Sequence, residues 1–572
     1  MPVTMRRRLA FCLAIAVGCL GLALPGGEAA ADSNRPNILI LMAEDMSPRV
    51  GAFGDPVAVT PNIDRLATEG VRYPSTFTTA GVCAPSRAAH ITGVHQMALG
   101  AQHMRSFAGG YRAVPPPEVK AYPELLRAAG YHTFTQLKLD YQFSRVWSGS
   151  GPFTIWDREG RFRADWRERE PEQPFFGLIN LQSTHESAVF PRAGFPKSGT
   201  HLLFQLVYLF TFWGQDDVVA PEDVVVPPYY PDTPTVRRDI ARHYNNIHKM
   251  DEEVGAVLEA LDRDGLADST IVIWTTDHGD GLPRAKREVF DSGIRVPMIV
   301  RWPDALRPAD LEPGGEDARL VSFVDLAPTV LAMAGLATPD YMVGRDFTSD
   351  DPADLRQYVY AAKDRMDEVP DRQRAVRDGR FKYIRNDYPQ EPGARRIAFR
   401  ENLDMMEELW ARWESGSLDP AAARWFEPRS PEELYDTVGD PHELEDLAGN
   451  PEHAATLERL RGALDAWLAR TEDLGAIPES ELAERFWPGG VEPVTPSPSA
   501  EVQRAGAEGV RVSLTCSEPG ASLGYRVDGG RWRLYAEPFE LRDGETVTAK
   551  AVRYGWRESD EVEVDLRGST AD

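Results

Sequence analysis

At 572 residues the chain is too long for one ordinary domain, and its 42% hydrophobic content is enough to fill two or three packed cores. Acidic residues outnumber basic ones by 89 to 63, for a formal charge of −26, which argues against nucleic acid as a partner and for a soluble exported protein. An enzyme of this charge acting on polyanions would need a local basic pocket inside a repulsive field.

Arg6, Arg7 and Arg8, an apolar run from Leu9 to Leu24, and then Ala29, Ala30 and Ala31 form the three parts of a secretory signal peptide over residues 1–31. The run is shorter than the ~20 residues of a spanning helix and ends in Pro25, Gly26 and Gly27. Cleavage near Ala31 is therefore expected in place of a stable membrane anchor, leaving the mature chain in the periplasm or outside the cell. Cys19 after Gly18 hints at a lipoprotein site, but the apolar run continues beyond it.

Asn37 to Met42, NILILM, is a continuous apolar run of strand length, as in a central parallel strand buried on both faces. Glu44 and Asp45 follow at once, where open α/β sheets collect their ligands. Next comes CAPSRAAHITG, Cys83 to Gly93. Pro85 suits the first turn of a helix, whose unpaired N–H groups and dipole would favour an anion beside Cys83, with Arg87 one turn on. Apart from Cys12 and Cys19 in the leader, the only other cysteine is Cys516. Cys83 either pairs with it, is buried and inert, or is a nucleophile or its precursor.

Phe175 to Leu181 is a second candidate strand and runs into Thr184, His185 and Glu186. A histidine there is a hydrogen-bonding structural residue or a general acid at the sheet edge. His201 to Trp213, HLLFQLVYLFTFW, is too short and too polar at Gln205 to span a membrane, and is expected to be a buried helix in preference to an apolar flap beside the active site. Val236 to Leu261 has apolar residues at helical spacing, with Gly265 as its cap. Ile271 to Thr276 is a third strand, ending in Asp277 and His278. Glu44, Asp45, Asp277 and His278 would then share one sheet edge, a mainly carboxylate donor set suited to a hard cation such as Ca²⁺ or Mg²⁺. Lys138 and Lys286 stand out because only eight of the 63 basic residues are lysines.

Arg377 to Tyr383 reads as a hairpin turning at Asp378-Gly379, and Leu457, Leu460, Leu464 and Leu468 fit one helix face. Pro493 to Ser499 is a Pro- and Ser-rich linker. Beyond it, Val510, Val512 and Leu514, and then Val547, Ala549 and Ala551, alternate with other residues as in a small all-β module. Trp532 and Trp556 are expected to pack or dock in preference to binding sugar.

C-x-P-S-R followed by T-G resembles the formylglycine signature of the type I sulfatases, and the similarity extends over roughly Pro36 to Leu468. In that family the cysteine is oxidised to formylglycine, so the resemblance implies a maturation enzyme as partner and Cys83 as nucleophile precursor and metal neighbour. PNILILMAED resembles the family's opening metal strand, with Glu44 in place of the first of two usual aspartates. Asp277 and His278 match the second metal pair. GYHTFTQLKLD, Gly130 to Asp140, is similar to the Gly-Tyr-x-Thr…Gly-Lys-x-His segment. It gives Lys138 a sulfate-contacting role and puts Asp140 where relatives carry the histidine that handles the formylglycine hydrate. Lys286 and His185 match residues that assist the leaving group, and Arg87 matches the one that positions the hydrate. AED, QHMRS at Gln102 to Ser106, and THES resemble bacterial sulfatases related to N-sulfoglucosamine sulfohydrolases.

The resemblance implies an α/β fold: an alkaline-phosphatase-like α/β/α sandwich over 32–374, a smaller α+β subdomain over 375–490, and an all-β module over 500–572 similar to the C-terminal β-sandwich of chitobiases. It implies a Ca²⁺-dependent (or Mg²⁺-dependent) sulfatase hydrolysing sulfate esters, or sulfamates, of a sulfated carbohydrate. Two rivals are a phosphodiesterase or phosphonate monoester hydrolase of the same superfamily, and a non-catalytic polysaccharide-binding protein.

Overall fold

Both faces of the first apolar run are covered, which is why it carries no alternation. In the computed structural model, which describes residues 35–160, 165–505, 509–542 and 544–566, this run is strand β1 (Asn37–Ala43). The expected signal segment lies outside the described residues. The other strands of its sheet are β2 (Val71–Arg72), β3 (His132–Gln136), β4 (Arg158–Gly160), β5 (Phe175–Leu181), β6 (Thr270–Thr276) and β7 (Met298–Arg301), in the order β2-β7-β6-β1-β5-β3-β4. From β6 to β4 neighbours run parallel, whereas β7 is antiparallel to both β6 and β2.

Helices cover the sheet on both sides. They include α1 (Pro61–Glu69), α2 (Cys83–Thr92), α3 (Tyr122–Ala128), α4 (Gly199–Thr211) and α5 (Pro234–Arg263). Leu39, Leu41 and Ala43 join the cluster containing Ile240, Ile247, Val254 and Leu258 of α5, while Ile38, Ile40 and Met42 meet Ile91 of α2 and Tyr122 and Leu126 of α3. Thr233 caps α5 through its side chain, and Gly265 takes the left-handed conformation just past its end (φ +69°).

The smaller sheet is antiparallel, in the order β8 (Val359–Lys363), β9 (Gln373–Arg377), β10 (Phe381–Asn386), β11 (Glu432–Asp436). Its first strand lies ahead of residue 375. The β9–β10 turn closes at Asp378, whose N–H bonds the Phe381 carbonyl at 3.0 Å. Leu460, Leu464 and Trp467 of α6 (Ala454–Arg470) are buried against this sheet, with Leu457 and Leu468 at the margin.

The terminal module has two sheets, one built on Gly509–Thr515 and the other on Ser522–Val527 and Val547–Val552, enclosing Val510, Val512, Leu514, Val547 and Ala549. It is docked, not tethered. Trp532 sits edge-on to Phe153 at 5.3 Å, and Tyr554 stacks on Phe143 at 4.9 Å. Arg127 donates to the Trp532 carbonyl at 2.7 Å, and Glu124 accepts from Ser522 and Tyr554. The Pro-rich linker is itself held, because Thr495 donates to the Arg557 carbonyl and Arg557 to that of Pro493, each at 2.9 Å.

One expectation fails. His201 to Trp213 is not buried: His201, Tyr208 and Phe212 turn inward, but the opposite side of α4 is open. The physical reason is that α4 packs on one side only, through Phe204 against Phe190 and Phe399 and through Tyr208 against Ser187. Among the described residues no helix is long and apolar enough to cross a membrane.

Candidate functional site

The carboxyl ends of β1, β5 and β6 converge on the N-terminus of α2. Asp45, in the left-handed region (φ +48°), turns the chain out of β1, and its N–H donates to Asp277 Oδ1 at 3.0 Å. The Met46 N–H donates to the His278 carbonyl at 3.0 Å, so the two acidic loops are stitched together. Cys83 is the first residue of α2 and every residue of that helix is buried. Val82 before it is extended and supplies no side-chain cap, which leaves the helix N-terminus and its positive dipole end directed at the site.

Cys83 Sγ lies 3.3 Å from His278 Nε2, 3.7 Å from Asp45 Oδ1 and 4.0 Å from Glu44 Oε2. It is not paired with Cys516, since both are free thiols. Asp45, Cys83, Asp277 and His278 each offer a donor atom within 4.8 Å of the others, and Glu44, Asp45, Cys83 and His185 form an overlapping set. Lys286 Nζ is 2.5 Å from Asp45 Oδ2, and Lys138 Nζ bonds Glu44 Oε2 and lies 4.0 Å from both Asp277 and Asp140. His185 bonds Ser187 Oγ through Nδ1 at 2.8 Å, and its other ring nitrogen makes no hydrogen bond among the described residues.

Two further site residues are held in ion pairs. Arg87 does not turn an open guanidinium to an anion: it is spent on Glu44 Oε1, on Asp277 Oδ2 (3.1 Å) and on Asn180 Oδ1 (2.6 Å), and so orients the acidic residues. Asp140, also left-handed (φ +55°), accepts from Arg105 Nε and Nη2 at 3.3 Å each.

Charge explains the titration of the group. Burial works against ionising Asp45, but Lys286, His185 and His278 overcome it and hold the carboxyl well below its ordinary range. Asp277 is likewise lowered to about 2, against burial, chiefly by His278, Arg87 and Lys138. Burial opposes a charged His278, yet Asp277, Asp45 and Cys83 raise it to about 10. Burial and the neighbouring Lys286 push His185 down to about 4, so its imidazole is neutral at neutral pH. Burial raises the Cys83 thiol, but Lys138 and Lys286 more than offset it and the net shift is downward.

With His278 neutral, the carboxylates of Glu44, Asp45 and Asp277 are balanced by Arg87, Lys138 and Lys286. A proton on His278 and the two lysines thus supply charge that a divalent cation would otherwise bring. Asp45 and Asp277 oxygens with one imidazole fit a hard cation. Glu44 is the weaker candidate ligand, because Arg87, Gln182 (3.0 Å) and Lys138 already engage its oxygens.

Several residues escape the sequence reading. Asn180 holds Arg87 and donates to the Gln136 and Lys138 carbonyls; its signal is a lone amide inside the apolar run FFGLINL. The Glu186 N–H donates to Asp45 Oδ2 at 2.7 Å, and its carboxylate lies 3.5 Å from Lys286 and 3.0 Å from Arg287. Arg105 is 35 positions from the Asp140 it binds, with no periodic pattern to join them.

A family model described as "Sulfatase" matches residues 36–336, and one described as "N-sulphoglucosamine sulphohydrolase, C-terminal" matches 284–393. An ulvan-active sulfatase of Formosa agariphila is 39% identical over 560 residues, covering 93% of this chain and 91% of that one. The N-sulphoglucosamine sulphohydrolase of Homo sapiens is 25% identical over 486 residues, 79% of this chain and 94% of its own. Among solved structures, a 2-O GAG sulfatase superposes with a TM-score of 0.55 at 20% identity, covering 77% of this chain and 93% of that one. A phosphonate monoester hydrolase from Silicibacter pomeroyi has a TM-score of 0.51 at 17% identity, covering 77% and 97%. These two likenesses show the fold alone.

Proposed function

We propose, from the premise that this chain belongs to the sulfatase family and is a sulfuric ester hydrolase, that it is exported and removes sulfate from a sulfated polysaccharide of the ulvan kind. The observation that carries the reading is the position of Cys83: first residue of α2, enclosed by Asp45 and His278, with Lys138 and Lys286 on the same acidic residues. A maturation enzyme would convert Cys83 to formylglycine, whose hydrate supplies the nucleophilic hydroxyl. Asp45, Asp277 and His278, with Glu44 behind them, would hold Ca²⁺ or, second, Mg²⁺, which supplies positive charge for the sulfate oxygens.

The chain's own residues do the rest. Lys138 and Lys286 turn from Glu44 and Asp45 to the sulfate oxygens once the acidic groups have other compensation. Neutral His185, fixed through Nδ1 by Ser187, offers its other nitrogen as proton donor to the departing oxygen. Arg87 keeps Glu44 and Asp277 aimed. Asp140 stands where relatives carry the histidine that handles the hydrate, and its pairing with Arg105 supports a positioning role. Hydrolysis breaks the ester at sulfur, water providing the oxygen of the released sulfate. The test is a turnover screen of ulvan oligosaccharides, N-sulfoglucosamine and aryl phosphonates with calcium-loaded enzyme, alongside mass spectrometry of the Cys83 peptide. Sulfate release from the ulvan set is expected. Phosphonate turnover exceeding it would favour the phosphonate hydrolase, and an unmodified thiol with no turnover would favour the binding protein.

A further inference from the structure

Helix α4 is apolar all round, yet only one side of it is covered among the described residues. A helix with this composition is ordinarily buried on every side. Residues 198–215 contain no Asp, Glu, Lys or Arg. The four most open large side chains of the stretch are Leu203, Leu206, Phe210 and Trp213, at 58, 53, 75 and 76% exposure. Their spacing is three, four, three, which is the a/d seam that packs one helix against another. Leu202, Val207 and Leu209 flank the seam and are also exposed, and Phe195 stands free just before it.

The area is large. At roughly 200 Å² per fully exposed large apolar side chain, the open parts of these residues amount to about 1,000 Å². That exceeds the ~300–600 Å² of the largest patch on a typical monomer and meets the ~800 Å² per partner of a standard interface.

We propose that this face is the two-fold interface of a homodimer, α4 packing against α4 of a second copy. A seam without charge is self-complementary, as an isologous contact requires, and lets two chains of charge −26 meet where neither carries any. A bilayer fits less well: interfacial helices carry lysine and arginine on their polar face, whereas here Asp216 and Asp217 follow the seam and the chain's net charge repels anionic headgroups. The covered side of α4 supports Ser187, and Ser187 bonds His185, so a dimer built on the open side leaves that wall of the site as it is.

Sedimentation velocity of the full chain at micromolar concentrations should show a dimer that tightens with salt, as repulsion between the acidic bodies is screened. Leu206→Glu combined with Phe210→Glu should weaken association at least 100-fold, with turnover of a small aryl sulfate kept. Hydrogen exchange read against concentration needs no variant, and protection should rise at 199–213 as dimer forms. A wild-type chain that stays monomeric, a dimer whose 199–213 amides gain no protection, or a monomer that floats with phosphatidylcholine vesicles through α4 would each overturn the proposal, the last giving the face to lipid.

Discussion

At the ends of β1 and β6, three carboxylates share three cationic side chains and a histidine inside one cluster, so that Glu44, Asp45 and Asp277 each face more than one full charge. At the seam between α3 and the β-module, one carboxylate, Glu124, accepts from three neutral hydroxyls: Thr154 at 2.5 Å, Ser522 at 2.6 Å and Tyr554 at 2.7 Å. Both regions are polar and buried. The first concentrates like charges, which costs stability and is tolerated where a ligand will rearrange them. The second spreads a single charge over three hydroxyl donors, of which Ser522 also accepts from Lys120 at 2.7 Å, and so fastens two domains.

Cys83→Ala should break the first region at its functional centre: turnover is expected to fall by at least about 10⁴-fold with an unchanged circular dichroism spectrum, since the residue is assigned the covalent step. Asp45→Asn should lose about 10²–10³-fold and bind less metal by elemental analysis, because Lys286 keeps only Glu186 as a charged partner and the cation would lose one of its carboxylate ligands. Chelation should mimic it, and normal metal content in the variant would move the site elsewhere.

Glu124→Ala tests the other region. Three buried hydroxyls lose their acceptor, and urea titration should record a loss of about 2–4 kcal/mol while turnover stays within twofold. Asp140→Asn should lower kcat about tenfold without a sulfated adduct accumulating at residue 83, as a positioning residue would. An adduct visible by mass spectrometry would make Asp140 the base after all.

The smallest effect is expected at His95, far from both regions and packed edge-on to Trp467 at 5.0 Å. Burial, helped by Arg356 and Arg470, lowers it from 6.5 to about 3. Between those values the unfolded chain holds a proton that the folded chain does not, so the stability this site contributes is lost as pH falls from about 6.5 toward 3. His95→Gln should flatten that loss, narrowing the difference between urea midpoints at pH 7 and pH 6 by the equivalent of about 0.7 kcal/mol. An unchanged difference would mean that other groups carry the acid sensitivity.

The three central strands were legible because both their faces are covered, so Asn37 to Met42, Phe175 to Leu181 and Ile271 to Thr276 read as buried strands, whereas β2, β3 and β4 carry no such run. The residues that follow strand ends were legible for the same reason. Lys138 and Lys286 showed through their rarity in an arginine-rich chain. Partnerships across distant loops did not show: nothing in the order of residues links Arg105 to Asp140 or Glu186 to Arg287. Nor can composition say whether an apolar helix is covered by its own chain or by something else, which is why α4 read as buried.

The burial of α2 bears on when the protein can be made active. An enzyme that oxidises Cys83 must close around the thiol and the residues after it, and in the folded chain all ten residues of that helix are covered. On the proposed reading, modification would belong to the interval before folding and would compete with the closing of the sheet over the helix. Molecules that folded first would keep their thiol. The specific activity of a purified batch would then report the outcome of that race, and slowing folding in the producing cell should raise the active fraction without altering a single contact in the finished site.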